Sequence, residues 1–341
     1  MATVPTYMAT VVPGLEDVAI SEIIVKLPGA WTWAKLRGRI LFATDSPWDK
    51  LLQLRCIDNI YFHIAWQKIG AHKADLVGLV DSIENLELPD IPGQPKFRAG
   101  ARAIVNASRS GHHTFSRFDA AEAALQGLTS THGFVPGTPE ARDYEFRLDI
   151  IDEDALLSLK LTSAVFRFRG HRTFSKAALR PPIAHALVWL SNPRPTDVFL
   201  DPFCGSGTIP VERAAYPARS IIGGDISPEA VEAAKKNSPI NVNICHMNAC
   251  ELEGIPPQSV TSIVTNPPWG NQIAQGQNIE ALYCKFLLAA RRVLEPNGRA
   301  IILTDQETAL SLACRRAQLE CQPLQKISLH GLLPTIYRVR H

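Results

Sequence analysis

Short apolar runs alternate with amphipathic stretches along the second half of the chain. The predicted strands cover residues 198–200, 221–223, 242–246, 260–265 and 300–303. The first four recur roughly every twenty residues, the spacing of a strand, a crossover helix and a parallel strand. Helices are predicted from the Ser227-Pro228-Glu229 cap onward and over residues 279–294. This half is therefore predicted to be α/β, with extended segments 326–329 and 335–339 pairing antiparallel at one sheet edge.

The first 170 residues show a different pattern, in which strand-like and helical segments mix without an evident parallel sheet. Such mixing is typical of an α+β arrangement. The predicted strands are 6–12, 39–43, 101–107, 144–151 and 155–161, and the predicted helices are 15–27, 48–54 and 119–131. Residues 166–180 are basic and lack apolar periodicity, which predicts a linker between domains.

Length and composition describe a globular chain without a dominant charge. The 341 residues suggest two or three domains, and 46% are hydrophobic while 20% are charged. The 35 Lys and Arg residues nearly balance the 33 Asp and Glu residues, so the formal net charge is +2. A nucleic-acid partner, if there is one, must be met by basic residues that are locally concentrated.

Several classes of protein are disfavoured by the same sequence. No apolar run approaches the length of a membrane helix, and the N-terminus has no secretory signal pattern. The seven cysteines are odd in number and form no CxxC pair, which argues against a disulfide scaffold or a zinc ribbon. We therefore expect a reduced, cytoplasmic protein without a metal site.

The sequence DPFCGSGT, residues 201–208, directly follows the first predicted strand of the second half. Its two glycines allow a tight turn that exposes backbone groups to a ligand, and Asp201 lies at the strand's carboxyl end, where ligands bind in open α/β sheets. Pro210 replaces the third glycine of a dinucleotide fingerprint, and no GK[ST] sequence follows. The loop therefore favours a nucleoside ligand over a pyrophosphate.

Two polar positions follow the next predicted strands. Asp225 ends the GGD sequence, where a carboxylate typically accepts hydrogen bonds from both ribose hydroxyls, the alternative being a capping or turn aspartate. Asn248, followed by Ala249, could hydrogen-bond an adenine amine. Taken alone, a surface-turn asparagine explains that position better.

The sequence NPPWG, residues 266–270, follows the fourth strand and is the most specific motif. Two prolines make the segment rigid and remove two backbone donors. Asn266 and the Pro267 carbonyl can each accept an amine hydrogen, and Trp269 offers a flat face for stacking. A Pro-rich turn with a buried Trp is the alternative, but it does not explain why the glycine loop and the acidic ribose position precede it in order.

Residues 175–341 resemble the class I S-adenosylmethionine-dependent methyltransferases through these three motifs. The resemblance implies a Rossmann-like fold with strand order 3-2-1-4-5-7-6, an antiparallel seventh strand and S-adenosylmethionine as cofactor. Many relatives carry Asp where this chain has Asn248, which keeps the acceptor oxygen and loses the charge. The implied cofactor-binding residues are Asp201, Phe203, Cys204, Gly205, Ser206, Gly207, Thr208, Asp225, Ile226, Asn248, Ala249 and Asn266.

Residues 107–120, ASRSGHHTFSRFDA, resemble the core of the THUMP domain, an RNA-binding module. The opening TYMATVVPGLEDVAISEI resembles the ferredoxin-like segment that precedes it, and HRTFSKAALRPPIAHAL resembles the entry into the catalytic domain. The resemblance covers nearly the whole chain and points to the THUMP-domain tRNA (guanine-N2)-methyltransferases. It implies a ferredoxin-like domain (1–60), a THUMP domain (61–165), a linker (166–180) and a methyltransferase domain (181–341).

Local charge is consistent with an RNA partner. No acidic residue lies between Asp90 and Asp119 or between Asp154 and Asp197, and both stretches interleave basic residues with phenylalanines. Basic residues that displace phosphate counterions give salt-dependent RNA binding, although such stretches are often only solvated faces. The candidate RNA-binding residues are Arg109, His113, Arg117, Arg167, Arg169, Arg172 and Lys176.

The resemblance implies methyl transfer to the exocyclic N2 of a tRNA guanosine, with position 6 of the acceptor stem favoured and position 10 as an alternative. Asn266, Pro267 and Trp269 are the candidate catalytic residues. The expected partner is the 3′ end and acceptor stem of tRNA, bound by a monomeric enzyme. A DNA adenine-N6 methyltransferase and a non-catalytic RNA-binding protein are the rival hypotheses.

Overall fold

The computed structural model describes residues 4–169, 178–269, 278–329 and 331–341. The chain divides into two compact units. The first comprises residues 1–10, 23–54 and 59–163, and the second comprises residues 11–22, 55–58 and 164–341. Within the described residues, no helix is long and apolar enough to cross a membrane.

An eight-stranded sheet organises the first unit, in the order β2-β3-β1-β4-β8-β7-β5-β6. Most neighbours are antiparallel, but β5 pairs in parallel with β6 and β7. The strands are β1 (Thr6–Thr10), β2 (Trp31–Leu36), β3 (Arg39–Ala43), β4 (Asn59–Lys68), β5 (Arg102–Ser110), β6 (Val135–Pro136), β7 (Tyr144–Ile151) and β8 (Asp154–Lys160). The helices in this half of the chain are α1 (Glu16–Lys26), α2 (Trp48–Leu51), α3 (Leu76–Glu84) and α4 (Arg117–His132).

Most predicted elements of this half are present, with two kinds of difference. Strands β2, β4 and β6 and helix α3 were not predicted, and the predicted helix 48–54 ends at Leu51. Strand β4 crosses the predicted domain boundary at residue 60, because it pairs with β1 on one side and β8 on the other. One continuous sheet thus contains strands from both predicted N-terminal domains, whose boundaries stay a proposal.

Helix α4 shows how local sequence sets an element within the THUMP-like segment. The Ser116 hydroxyl accepts from the Asp119 amide at 3.2 Å, while the Asp119 carboxylate accepts from the Ser116 amide at 2.7 Å. This capping box starts the helix, and Gly133, with a φ of 69°, ends it in the left-handed conformation. The helix therefore begins two residues before the predicted start at 119.

A buried carboxylate ties strands of the first sheet together. Asp149 is fully buried, and its oxygens accept from Arg39 at 2.6 Å and from Arg147 at 2.6 and 2.8 Å, as well as from Ser108. Burial alone would raise the pKa of Asp149, but these hydrogen bonds and charges outweigh it and lower the pKa. The ionised carboxylate is thus matched within the unit by two guanidinium groups.

The second unit contains a seven-stranded sheet in the order β11-β10-β9-β12-β13-β15-β14. Its first five strands in chain order are parallel, and β15 runs antiparallel to both β13 and β14. The strands are β9 (Val198–Asp201), β10 (Ser220–Asp225), β11 (Asn243–His246), β12 (Val260–Thr265), β13 (Leu294–Thr304), β14 (Glu320–Lys326) and β15 (Thr335–Arg340). In order of sequence within this sheet, the arrangement is 3-2-1-4-5-7-6, which confirms the predicted topology.

Helices α5 (Pro181–Leu190), α6 (Thr208–Arg213), α7 (Pro228–Asn237), α8 (Ile279–Val293) and α9 (Glu307–Ala317) connect or cover these strands. Ser227 caps α7 as predicted, since its hydroxyl accepts from the Ala230 amide at 3.2 Å. The prediction for the sixth strand was wrong in position, because the edge strand is Glu320–Lys326 and not 326–329. Its sequence is polar, and Pro323 lies at an irregularity in the pairing, so no apolar pattern marks it.

Buried ionic hydrogen bonds explain why residues 11–22 and 55–58 belong to the second unit. The Glu22 carboxylate accepts from the backbone amides of Arg55 and Cys56 at 3.0 and 2.7 Å. His185 on α5 lies between Glu22 and Glu212, at 3.2 and 3.1 Å. Burial would raise the pKa of Glu212, but the hydrogen bond with His185 and nearby arginine charges hold that pKa at about 2.

We predict that Asp149→Ala lowers the free energy of unfolding by about 3 kcal/mol, because it leaves two largely buried guanidinium groups without their counterion. Urea unfolding followed by circular dichroism measures this change. Asp90→Ala is the matched control, because Asp90 pairs with Lys96 while both side chains are largely exposed, and it should leave the transition unchanged. An Asp149→Ala transition that coincides with that of the control contradicts the prediction.

Candidate functional site

A cleft of about 590 Å³ lies at the carboxyl ends of the parallel strands β9, β10, β11 and β12. This volume suits a nucleoside-sized ligand. Each of the four strands is followed by a segment that reaches the cleft, so the predicted motifs come together as expected from the topology. The predicted residues that line it are Asp201, Phe203, Cys204, Gly205, Ser206, Thr208, Asp225, Ile226, Asn248, Ala249 and Asn266.

The glycines of the 201–208 loop serve different purposes. Gly205 has a φ of 52°, and a Cβ at this position would meet no described atom within 4 Å, so its backbone is open beside the cleft. Gly207 has a φ of 84° and is not among the described residues that line the cleft. A Cβ there would lie 3.1 Å from that of Ala234, so Gly207 allows close packing on α7 rather than ligand approach.

Asp201 presents a buried carboxylate at the end of β9. One oxygen, Oδ1, accepts from the Thr265 hydroxyl at 2.7 Å and from the Phe203 amide at 3.2 Å. The other oxygen, Oδ2, is buried and has no hydrogen-bond partner among the described residues. Burial raises the pKa of Asp201 to about 7, since these hydrogen bonds only partly offset the loss of water and Asp225 adds repulsion. A cationic ligand group in the cleft would satisfy this oxygen.

Asp225 is held in place by the backbone on both sides. Its Oδ2 accepts from the Gly205 amide at 2.9 Å, and its Oδ1 accepts from the Ser227 amide at 3.0 Å. These bonds orient the carboxylate and leave further lone pairs for ligand hydroxyls. Beside it, Ile226 is 64% exposed and lines the cleft, so it offers an apolar surface to a flat ring.

Asn248 lines the cleft, but its amide is used locally. The oxygen accepts from the Cys250 amide at 3.0 Å, and the nitrogen donates to Glu251 at 2.9 Å. These bonds form an Asx turn after β11. The alternative that Asn248 is a turn residue is therefore confirmed by these hydrogen bonds, whereas a contact between Asn248 and adenine stays a prediction.

In the segment that follows β12, the Trp269 side chain does not face the cleft as the sequence predicts. Asn266 and Pro268 line the cleft, whereas Pro267 and Trp269 are not among its described lining residues. The Trp269 side chain is 3% exposed, and its indole N–H donates to Asn266 Oδ1 at 2.6 Å. A ring covered in this way does not present a stacking face to the cleft. The Pro268 carbonyl accepts from the Tyr283 hydroxyl at 3.1 Å.

The candidate RNA-binding residues of the first unit lie near the start of α4. Arg109 and Arg117 are exposed, and the Arg117 guanidinium lies 4.8 Å from the ring centre of the 70% exposed Phe118. The His113 ring approaches the Asp152 carbonyl at 2.6 Å, which engages its Nε2 atom. The two arginines are thus accessible, whereas His113 is partly committed to the fold.

The second unit contains Arg167 and Arg169. Arg167 is half-buried, and its guanidinium lies 4.7 Å from the Phe168 ring centre. Arg169 differs from the expectation, because its side chain is 9% exposed and donates to the carbonyls of Phe166 and Arg55 at 2.9 and 2.5 Å. This guanidinium supports the fold and is not presented to a phosphate. Arg172 and Lys176 lie outside the described residues.

Sequence reasoning missed several cleft residues that are apolar or come from distant segments. Leu179 precedes α5, Met247 follows β11, and Leu282 lies on α8. Tyr283, which supports the segment after β12, also lies on α8. Only the position of Met247 directly after a predicted strand carried a usable signal. The others reach the site through helix packing, which a single sequence does not reveal.

Comparisons with known proteins match the chain to methyltransferases. Residues 169–335 match the family UPF0020, described as an RMKL-like methyltransferase domain. The chain is 30% identical to the tRNA (guanine(6)-N2)-methyltransferase of Thermus thermophilus, over 89% of this chain and 90% of that protein. It is 24% identical to the enzyme of the same name from Archaeoglobus fulgidus, over 97% and 91% of the two chains.

A solved structure supports the same assignment for the fold. The crystal structure of TrmN from Thermus thermophilus matches with a TM-score of 0.83 and 25% identity, covering 98% of this chain and 99% of that one. The resemblance inferred from the sequence motifs is thereby confirmed at the level of the whole chain. The chain belongs to the tRNA (guanine(6)-N2)-methyltransferase family.

Proposed function

We propose that the protein transfers a methyl group from S-adenosylmethionine to the exocyclic N2 of guanosine 6 in tRNA. The observation that carries the proposal is one cleft that combines two features: the Asp201 oxygen that has no partner among the described residues, and the segment of Asn266 and Pro268, both of which line the cleft. The first is an acceptor for a cationic ligand, and the second presents acceptors for an amine. Membership in a family whose characterised relatives carry this activity in their names supports the choice of substrate.

The residues of the cleft fit S-adenosylmethionine. We propose that Asp201 Oδ2 accepts from the ammonium group of its methionine moiety, which supplies the partner that this oxygen lacks among the described residues. Asp225 accepts from the ribose hydroxyls, and Ile226 packs against the adenine ring. Gly205 leaves room beside its backbone for the ligand to approach. When bound, the cofactor supplies an electrophilic methyl group on its sulfonium.

The segment after β12 orients the acceptor amine. The N2 amine of guanine is a weak nucleophile, because its lone pair is delocalised into the ring. Asn266 Oδ1 accepts one amine hydrogen. The Pro267 carbonyl, which is not among the described lining residues, is proposed to accept the other, and the two contacts direct the lone pair toward the methyl group. Fixing this geometry removes much of the entropic barrier to transfer. No strong base is needed, since the nitrogen becomes acidic only once the new N–C bond has formed.

The first unit is proposed to bind the 3′ end and acceptor stem of tRNA. Arg109 and Arg117 expose their guanidinium groups within a stretch without acidic residues, and Phe118 exposes a ring on which a base can stack. The target guanosine must leave its helix to reach the cleft, at a cost of a few kcal/mol. We propose that the protein binds tRNA as a monomer.

The activity is tested by incubating the protein and S-adenosylmethionine with unmodified tRNA and mapping the product by mass spectrometry. We expect one new N2-methylguanosine at position 6. A tRNA with adenosine at position 6 is the matched control and should remain unmethylated. Methylation at position 10, methylation of duplex DNA at adenine, or tRNA binding without any affinity for S-adenosylmethionine would each contradict the proposal and identify the rival that replaces it.

Asn266→Ala is predicted to lower kcat at least about 100-fold, because the amine loses an orienting acceptor. Single-turnover methyl transfer measures this loss, and filter binding should show unchanged affinity for tRNA. Asn243→Ala is the control, since Asn243 is an exposed residue of β11 away from the cleft lining. Turnover of the Asn266 variant equal to that of the control would exclude the proposed role.

Cofactor affinity is predicted to fall as the pH is lowered from about 7.5 to 5.5. The pKa of Asp201 is raised to about 7, so below this pH its carboxyl is neutral and must lose a proton before it can pair with the ammonium group. The dissociation constant should rise up to tenfold per pH unit, as measured by calorimetry. Asp201→Asn should bind more weakly and without this slope. An equal slope in both proteins would assign the titration to another group.

A further inference from the structure

Trp269 makes a hydrogen bond that the sequence did not suggest. Its indole N–H donates to Asn266 Oδ1 at 2.6 Å, and its side chain is 3% exposed. Asn266 itself lines the cleft, whereas Trp269 is not among the described lining residues. The indole therefore contacts the Asn266 amide and is not part of the described cleft lining, so it acts on that amide rather than on a ligand.

The chemistry of the indole group determines which way the amide points. The terminal torsion of an asparagine is broad, so the oxygen and the nitrogen can exchange places at low cost. An indole N–H is a donor and never an acceptor, so it stabilises only the orientation in which the amide oxygen faces it. That oxygen has two acceptor sites, and the second one remains for an amine hydrogen of the substrate.

Helix α8 holds the next part of the segment by a second set of hydrogen bonds. The Pro268 carbonyl can only accept, so the Tyr283 hydroxyl donates to it at 3.1 Å. Tyr283 in turn lies 2.8 Å from the Thr304 hydroxyl, which accepts from the Gln306 amide at 3.0 Å. The direction of every bond is therefore determined, with Thr304 donating to Tyr283. The backbone that follows Asn266 is therefore anchored by hydrogen bonds that do not involve the Asn266 side-chain amide.

We propose that Trp269 is a positioning residue that locks the amide of Asn266 with its oxygen available to the target amine. This inference rests on the proposed function and adds a role for Trp269 other than base stacking. Without the indole N–H, the amide also samples the orientation that presents its NH₂ group. The NH₂ group of the Asn266 amide and the target amine are then two hydrogen-bond donors that face each other, and the target amine is no longer oriented for methyl transfer.

The first test replaces Trp269 by phenylalanine, which keeps an aromatic ring and removes the N–H donor. We expect kcat to fall about 10- to 100-fold in methyl transfer to unmodified tRNA, with KM for tRNA and the dissociation constant of S-adenosylmethionine unchanged. The double variant Asn266→Ala/Trp269→Phe should be no slower than Asn266→Ala alone, because Trp269 acts through Asn266. Additive losses, or kcat of Trp269→Phe within twofold of wild type, would overturn the proposal.

A second replacement keeps the test valid if phenylalanine disturbs the packing. In 3-benzothienylalanine a sulfur atom stands in place of the indole N–H, so the size and the flat face are retained. Positioning predicts the same loss of kcat with this residue at 269, whereas stacking on the base predicts nearly full activity. A nearly wild-type kcat here overturns the inference. Failure of the proposed function is distinguishable, because the wild-type protein itself would then leave tRNA unmethylated.

Discussion

The parallel hydrogen-bonded pairing of β9, β10, β11 and β12 is the constraint on which the site depends. Parallel strands place their carboxyl ends at one edge, so the segments that follow them meet although they are far apart in sequence. Asp201, Asp225, Asn248 and Asn266 each lie at or just after one of these ends. A strand inserted into this order, or one reversed within it, would separate the residues that we propose to hold the cofactor from those that we propose to face the amine.

Two buried aspartates differ in their hydrogen-bond partners and in the direction in which their pKa is shifted. Asp149 in the first unit is matched by two arginines, and its pKa is lowered despite burial. Asp201 in the second unit has one oxygen without a partner among the described residues, and burial raises its pKa to about 7. The first carboxylate is compensated within the fold. The second carboxylate has the environment expected of a binding site, and we propose that a ligand cation compensates it.

The segment after β12 combines rigid backbone with a directed side chain. The prolines restrict φ, Tyr283 anchors the Pro268 carbonyl, and Trp269 orients the Asn266 amide. Each restraint acts on a different torsion, so the acceptors are held before a substrate arrives. Such preorganisation suits the transfer of a methyl group to an amine, because there the geometry of approach matters more than a change of protonation.

The sequence by itself determined the class of the methyltransferase fold, its strand order and the stretches that form the cleft, because motifs that follow strands are local and ordered along the chain. It also indicated the family, which comparison over most of the chain confirmed. Tertiary structure alone decided that Trp269 is covered, that Arg169 bonds to carbonyls and that one oxygen of Asp201 has no partner among the residues that the structure describes. Those properties depend on burial and on partners contributed by distant segments, and a pattern of residue types contains no information about which distant groups become neighbours.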